Sequence, residues 1–203
     1  SISTGYNLVK NVNSNALFFD DTIFFASKDD LVSLAGDGTI IWKASLPSDK
    51  MSRSLIFRLD SNLILINRGF SYMGNRQIKY GTPFIASYCL DTGSENYFID
   101  LAPNNEDIIR SIQHQDHEIF LVFNQRVLRY SLKTGELLTE SFFKSDFIGS
   151  FIGDYYYQSL DSKIFSLNQI EPNKYSLSTT DDKVLFLNHE LKIEKKLTNK
   201  DFY

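Results

Sequence analysis

Hydrophobic residues fall in short runs along the chain, and polar turn residues bound each run. Clear examples are the runs at 16–19, 22–25, 31–34, 63–66, 119–123 and 184–187. Apolar runs of four to eight residues at this spacing are typical of β-strands. Only residues 87–92 and 104–110 come near a helical pattern, and neither carries an apolar stripe three turns long. The pattern therefore predicts an all-β protein.

Two sets of turns recur between these runs. The first set follows an apolar strand, and three of its four members place a glycine where a tight hairpin needs a positive φ. Its reference positions are Gly38, Gly93, Gly135 and His189. The second set joins two apolar runs. Its reference positions are Asp21, Asn62, Asp116 and Asp154.

The spacing of the turns predicts a repeat. Second-set turns lie 41, 54 and 38 positions apart, and first-set turns lie 55, 42 and 54 apart. From a first-set turn to the next second-set turn the distances are 24, 23 and 19, so length varies mainly within the units. This predicts four units of four strands at about 6–47, 48–102, 103–143 and 144–203, with insertions in the second and fourth. Such a repeat is typical of a β-propeller blade.

The aromatic residues support this interpretation. Blades that stack radially bury both faces of each sheet, so their inner strands need apolar side chains on both sides. Phe18-Phe19 and Phe24-Phe25 meet that need, because successive side chains of a strand point to opposite faces. A β-sandwich or barrel also contains many short strands and stays open as the alternative. The repeat spacing favours the propeller, with about four four-stranded antiparallel blades.

Three strand ends resemble the repeat of the quinoprotein-like (PQQ-type) β-propeller family. They are Leu34-Ala35-Gly36-Asp37-Gly38-Thr39-Ile40-Ile41-Trp42-Lys43, Tyr88-Cys89-Leu90-Asp91-Thr92-Gly93 and Tyr130-Ser131-Leu132-Lys133-Thr134-Gly135-Glu136-Leu137-Leu138. In that family a glycine turn precedes a strand whose tryptophan docks against the next blade. The resemblance assigns blade docking to Trp42, Gly38, Gly93 and Gly135. Tyr97 and Thr139 hold the tryptophan position in units two and three, which is a departure expected of a divergent, non-catalytic member.

The resemblance carries further implications. Propellers of this family usually have seven or eight blades, so this chain is expected to be either a four-bladed propeller or a segment of a larger one. An exposed end blade would then offer a surface for association. The family's enzymes use a quinone and calcium, in some cases beside a cysteine pair. The single cysteine, Cys89, cannot form that pair. No position matches a cofactor site, so no cofactor is expected.

Other members, such as the BamB-type scaffolds, bind protein segments, and their export implies a periplasmic or cell-envelope location. Composition narrows the partners further. The chain has 21 basic and 25 acidic residues and no basic stripe, which disfavours nucleic acid. No run of 18 apolar residues occurs, so no transmembrane helix is expected. The start, Ser-Ile-Ser-Thr-Gly, is what a processed or trimmed chain would show.

Several polar clusters resemble metal or catalytic sites, and each is better explained by a turn. His114 and His117 lie three positions apart, so on a strand their side chains would point to opposite faces. The acidic pairs stand at predicted turns, where aspartate caps backbone amides. They are Asp20-Asp21, Asp29-Asp30 and Asp181-Asp182. Cys89 lies within an apolar run and is expected in the core. No catalytic or metal-binding residue is predicted, and the protein is expected not to be an enzyme.

The insertion in the second unit, residues 68–81, is the candidate recognition site. It contains three cations, three aromatic residues, a methionine and no acid. Aromatic residues, methionine and arginine are enriched in interface cores. The candidate partner-binding residues are Arg68, Phe70, Tyr72, Met73, Arg76 and Tyr80. A long hairpin whose aromatic rings fold back onto the sheet is the alternative.

The predicted function is therefore a non-catalytic scaffold that binds a protein or peptide partner. A carbohydrate-binding or carbohydrate-cleaving propeller is the first alternative, because aromatic sheets offer stacking surfaces and carboxylates lie in the loops. Cleavage would need two loop carboxylates about 5–10 Å apart across a pocket. A quinone-dependent oxidoreductase is the second alternative.

Overall fold

The computed structural model describes residues 12–74, 76–101, 108–123, 125–143, 164–179 and 183–201. Within these ranges the chain forms eighteen β-strands and one short 3-10 helix, Asn199–Asp201. None of the helical structure in these ranges is long and apolar enough to cross a membrane. The prediction of an all-β fold is confirmed.

Sixteen strands form four antiparallel sheets of four strands each. Sheet 1 contains β1 (Leu17–Phe19), β2 (Thr22–Ala26), β3 (Asp30–Ala35) and β4 (Ile40–Ser45). Sheet 2 contains β5 (Ser54–Leu59), β6 (Asn62–Asn67), β9 (Phe84–Cys89) and β10 (Glu95–Asp100). Between β6 and β9 a separate two-stranded hairpin, β7 (Phe70–Met73) and β8 (Arg76–Lys79), occupies the predicted insertion.

The remaining sheets follow the same plan. Sheet 3 contains β11 (Ser111–Gln115), β12 (Glu118–Val122), β13 (Arg126–Ser131) and β14 (Leu137–Phe142). Sheet 4 contains β15 (Ile164–Glu171), β16 (Lys174–Thr179), β17 (Val184–Leu187) and β18 (Ile193–Leu197). In every sheet each strand pairs with the sheet strand that follows it in the chain. The prediction of repeated four-stranded antiparallel sheets is confirmed.

The turn that opens the fourth sheet differs from the prediction. The position expected for it, Asp154, lies outside the described residues, and the turn between β15 and β16 is Pro172-Asn173, with Asn173 at a φ of 61°. The stretch between Asp154 and His189, which the turn spacing counts as containing an insertion, includes β15 and β16 themselves. Extra length therefore precedes sheet 4 and does not interrupt it. Pro172-Asn173 is itself a turn signal, because proline presets φ and asparagine tolerates a positive φ.

The other second-set turns are tight hairpins built on aspartate. Asp20 and Asp21 join β1 to β2 with φ values of 45° and 58°, so both central residues are left-handed, as in a type I′ turn. Asp60 and Asp116 have φ values of 54° and 51° in the corresponding turns of sheets 2 and 3. Aspartate tolerates this conformation better than most residues, because its short side chain hydrogen-bonds locally. These acidic residues are thus explained by backbone geometry.

The described residues divide into two compact units. The first comprises Ser1–Ile108 with Leu132–Gly135, and its main apolar cluster joins sheets 1 and 2 through Phe24, Leu31, Leu63 and Phe84. Phe24 and Phe25 belong to two different buried clusters, so sheet 1 is buried on both faces as the paired phenylalanines predicted. Each such buried ring contributes roughly 1.5–3 kcal/mol.

The second unit comprises Ile109–Ser131 with Glu136–Tyr203. Its apolar cluster joins sheet 3, through Phe120 and Val127, to sheet 4, through Leu177 and Leu187. The ring of Phe120 lies 4.8 Å from that of Tyr175, measured between centroids. Each unit therefore has its own core, built from two sheets that pack face to face.

Candidate functional site

Asn67, the last residue of β6, fixes the base of the inserted hairpin. Its side chain is fully buried. Its Oδ1 accepts hydrogen bonds from the Ser52 amide at 2.8 Å, the Ser52 hydroxyl at 2.9 Å and the Ser54 hydroxyl at 3.0 Å. Its Nδ2 donates to the carbonyl oxygens of Lys50 at 2.7 Å and Thr82 at 2.6 Å. One amide thus ties together the segment before β5 and both ends of the insertion.

Backbone hydrogen bonds extend this anchoring up the hairpin. The Arg53 amide donates to the Phe70 carbonyl oxygen at 3.0 Å, and the Arg68 amide donates to the Arg53 carbonyl oxygen at 3.0 Å. The Gly69 amide donates to the Ser52 hydroxyl at 2.9 Å. The insertion is therefore a hairpin held by the core at its base.

The strand register divides the side chains of the hairpin between two faces. Ile78 pairs with Ser71, and Met73 and Tyr80 each lie two residues along from that pair, so the three apolar side chains share one face. Met73 is 66% exposed and Tyr80 is 51% exposed, whereas Ile78 is partly buried. We call Met73, Ile78 and Tyr80 the hairpin apolar face.

The opposite face carries Phe70 and Tyr72. Phe70 is only 1% exposed, and the guanidinium of Arg68 lies 4.7 Å from the centroid of its ring. Tyr72 is exposed, with the guanidinium of Arg53 5.3 Å from its ring centroid. Phe70 and Arg68 thus pack at the base of the hairpin, which is the arrangement of the fold-back alternative.

The six residues predicted from the sequence therefore separate. Met73 and Tyr80 are exposed on one face, on opposite sides of the Ser71–Ile78 pair along the hairpin, whereas Tyr72 lies on the other face and Phe70 is buried. Arg76 pairs with Met73 in the backbone register, and its side chain is outside the described part of the structure. Ile78 was not among the six predicted residues, although its position two residues before Tyr80 in a strand indicates that the two side chains share a face.

The docking residues implied by the family resemblance form a second site in the first unit. The indole Nε1 of Trp42 donates to the Leu90 carbonyl oxygen at 3.0 Å. Gly93 follows in the same turn with a φ of 69°, and a Cβ at this position would overlap the indole ring. Gly38 has a φ of 88° and closes the turn before β4, where its amide donates to the Ala35 carbonyl oxygen at 2.8 Å.

Tyr97 makes the equivalent contact with the turn Leu132–Gly135, which belongs to the same unit. Its hydroxyl donates to the Leu132 carbonyl oxygen at 2.9 Å, and a Cβ on Gly135 would come within 2.8 Å of the Tyr97 ring. Burial raises the pKa of Tyr97 to about 12, so the hydroxyl keeps the proton that it donates. Tyr97 thus makes the same kind of contact with a glycine turn as Trp42 does.

The remaining polar clusters have structural roles. His114 and His117 flank the β11–β12 turn, and no group of three or more metal-ligating side chains occurs among the described residues. The Ser27 hydroxyl accepts from the amides of Asp29 and Asp30, and Asp30 pairs with Lys43 at 2.7 Å. The pair Asp181-Asp182 lies outside the described residues.

Cys89 corrects an expectation. It ends β9 with a partly exposed side chain, whereas a core position was expected. A hydrogen bond with the Thr92 side chain, followed by bonds with the backbone of Thr92 and Asp91, lowers the pKa of the Cys89 thiol. Strand β9 ends at Cys89 and the turn begins after it. The apolar run around Cys89 therefore predicted more burial than a residue at the strand end has.

Comparison with known proteins gives no family. No family model matches the sequence, and no curated protein matches it. Solved structures of similar backbone include the computationally designed Ika4 protein, with a TM-score of 0.49 and 12% identity over 87% of this chain and 90% of that one.

Two further solved structures are larger than this chain. A protein of unknown function from Bacteroides caccae has a TM-score of 0.45 and 15% identity, with 97% of this chain and 64% of that one covered. The computationally designed Ika8 protein has a TM-score of 0.40 and 10% identity, with 92% and 61% covered. Similarity at this level identifies neither a family nor a function for the chain.

Proposed function

We propose that the chain is a non-catalytic scaffold whose hairpin apolar face binds an extended segment of a partner protein. The observation that carries this proposal is the exposure of Met73 and Tyr80 on one face of a hairpin whose base is locked by Asn67. An exposed apolar pair on a flexible loop would cost ordering entropy on binding, whereas a hairpin anchored in the core is already organised. Binding sites on rigid scaffolds commonly lie on such insertions.

We propose a propeller arrangement for the sheets. It is supported by the four-strand repeat, by burial of both faces of sheet 1, and by the aromatic contacts of Trp42 and Tyr97 with glycine turns. Each of these contacts links the last strand of one sheet to a turn further along the chain. The divergent, quinoprotein-like propeller remains the family that this pattern resembles.

The edge of β8 supplies a binding mode. Among the described strands β8 pairs only with β7, which leaves its outer backbone edge open to a further strand. An extended peptide can add to such an edge, with main-chain hydrogen bonds giving affinity and alternate side chains giving specificity. The side chains on one face of the added peptide are apolar in this arrangement, and they would contact the hairpin apolar face.

Charge selects the kind of peptide. Residues 68–81 contain no aspartate or glutamate, and Lys79 on β8 is exposed. Arg53 lies beside the same hairpin, over Tyr72. The positive electrostatic potential of these residues raises the association rate of acidic peptides and disfavours basic ones. The proposed ligand is therefore an extended segment that alternates apolar and acidic residues.

A displayed library of random nine-residue peptides tests this function. Selection on the intact protein should enrich peptides that alternate apolar with acidic residues. Met73→Asp should weaken an enriched peptide by about tenfold or more, because it places a like charge in the apolar contact. Phe142→Asp is the matched control, since Phe142 is 63% exposed on β14 of sheet 3 and is not part of the hairpin.

Two results would contradict the proposal. One is a selection that enriches no consensus on the intact protein. The other is an enriched peptide whose affinity responds equally to Met73→Asp and Phe142→Asp, because that would place its binding elsewhere.

A further inference from the structure

A cavity of about 210 Å³ lies beside Trp42 in the first unit. It is lined by Phe24, Ser33 and Trp42, which we call its floor, by Leu90 and Asp91 in the turn after β9, and by Asp20 in the β1–β2 turn. This cavity is separate from the hairpin and from its proposed peptide ligand.

The strand register explains why the floor residues converge. Ser33 on β3 pairs with Phe24 on β2 and with Trp42 on β4, so the three side chains form one row on the same face of sheet 1. The bond from Trp42 to the Leu90 carbonyl oxygen then holds the Leu90–Asp91 turn over that row. The cavity is thus built from rigid elements on both sides.

Ser33 gives the cavity a polar group that needs a ligand. Its side chain is 1% exposed, and within the described part of the chain its hydroxyl has no hydrogen-bond partner. A buried hydroxyl left without a partner costs about 1–3 kcal/mol. Ser33 itself lines the cavity between two lining aromatic residues of the same row, so a ligand group that meets its hydroxyl at the cavity wall would supply the missing hydrogen bond.

The remaining chemistry of the cavity favours a cation. Asp20 and Asp91 are both exposed at its rim, and none of the residues that line it is lysine, arginine or histidine. The rings of Phe24 and Trp42 pack against each other, with centroids 5.9 Å apart at an interplanar angle of 44°, and both residues line the cavity. Aromatic faces attract cations through their quadrupoles, and tryptophan does so most strongly.

We propose that this cavity binds the primary ammonium group of a short alkylamine. The ammonium N–H donates to the Ser33 hydroxyl, the stem packs against Phe24 and Trp42, and the two carboxylates supply the opposite charge. A water molecule takes about 30 Å³, so the cavity admits a stem of a few carbon atoms and excludes a large ligand. Both a free amine and a lysine side chain present this group.

The single tryptophan of the chain makes the test direct, because Trp42 fluorescence and its indole N–H resonance report on this cavity alone. The protein is titrated with n-butylammonium, and saturable changes in both signals are expected. Tetramethylammonium cannot donate a hydrogen bond, and 1-butanol carries no charge. The affinity of each should therefore be lower than that of n-butylammonium by about tenfold or more. Nα-acetyl-lysine amide tests whether a lysine side chain also enters.

Variants then identify the contacts. Ser33→Ala removes the acceptor with little change in volume and should weaken n-butylammonium about tenfold. Asp20→Asn and Asp91→Asn should each weaken it severalfold. Asp116→Asn is the matched control, because Asp116 has a φ of 51° in the corresponding turn of sheet 3 and does not line the cavity. Its affinity should equal that of the unchanged protein.

Three outcomes would overturn the proposal. The first is the absence of saturable binding by n-butylammonium to a protein that is folded by circular dichroism. The second is equal binding of 1-butanol, which would make the cavity merely apolar. The third is tighter binding of glucose than of the amine, which would assign the aromatic and carboxylate groups to a carbohydrate.

Discussion

The indole ring of Trp42 lies where a side chain on Gly93 would have to be. Gly93 lies in the turn after β9, and the carbonyl oxygen of Leu90 in the same turn accepts a hydrogen bond from the indole N–H. Tyr97 and Gly135 repeat the relationship, with Leu132 as the acceptor. Each glycine is therefore required for two reasons: its backbone is left-handed, and a Cβ at its position would overlap the aromatic ring.

Gly93→Ala should destabilise the protein by about 2–4 kcal/mol. The alanine Cβ meets the Trp42 ring, which adds overpacking to the strain of a φ of 69°. Gly74→Ala is the control, because Gly74 has a φ of 60° and nothing within 4 Å of its added Cβ. That variant should lose about 1 kcal/mol. Urea unfolding measures both, and equal losses would show that the ring contact carries no energy.

Tyr97→Phe should cost about 1–1.5 kcal/mol in unfolding free energy. The change deletes one hydroxyl and leaves the Leu132 carbonyl oxygen without its donor. Tyr72→Phe deletes a hydroxyl from an exposed tyrosine and should change stability by less than about 0.5 kcal/mol. If the two variants unfold at the same urea concentration, the docking bond is energetically neutral.

Asn67→Leu should destabilise the protein by about 3–5 kcal/mol. Leucine has a similar volume, but it leaves the groups that Asn67 satisfies buried without partners. The loss should be accompanied by faster hydrogen exchange at the amides of Gly69 and Thr82. Asn62→Ala, which removes a side chain whose bond to Asn96 is exposed, should change stability little and is the comparison.

Alkylation of Cys89 should reach half its maximal rate at a pH below the ordinary pKa of a thiol. The Thr92 hydrogen bonds that lower the pKa stabilise the thiolate, which is the reactive form. Thr92→Val removes the side-chain bond and should move the midpoint to higher pH. Iodoacetamide labelling rates across a pH series give the measurement. A midpoint that Thr92→Val leaves unchanged would show that the hydroxyl does not act on the thiol.

The sequence predicted the sheets well, because hydrophobic alternation and glycine turns are local signals. The turns at Gly93 and Gly135 and the hairpin at 68–81 all occur where the pattern placed them. The fourth sheet was misplaced at its first turn. Pro172-Asn173 is a signal of ordinary strength, and the spacing that supported Asp154 came from only two other connections. A repeat with so few members cannot correct a single wrong assignment.

The sites were harder to predict, because they depend on which residues of different strands face one another. Composition could not separate Phe70, which is buried, from Met73 and Tyr80, which are exposed. Alternation along the strand would have placed Ile78 with Tyr80. The row of Phe24, Ser33 and Trp42 spans three strands and requires their register, including the bulge between Ser33 and Leu34. Register of this kind cannot be obtained from one sequence alone.

The network around Asn67 makes the hairpin inseparable from its sheet. Surface insertions can usually be shortened at little cost, because their backbone groups are solvated. Here, replacing residues 68–81 by a tight turn would remove the Gly69 amide that donates to the Ser52 hydroxyl and would displace Thr82, whose carbonyl oxygen accepts from the buried Asn67 amide. The buried asparagine and the hairpin therefore depend on each other, and neither can be removed without leaving polar groups of the other unsatisfied.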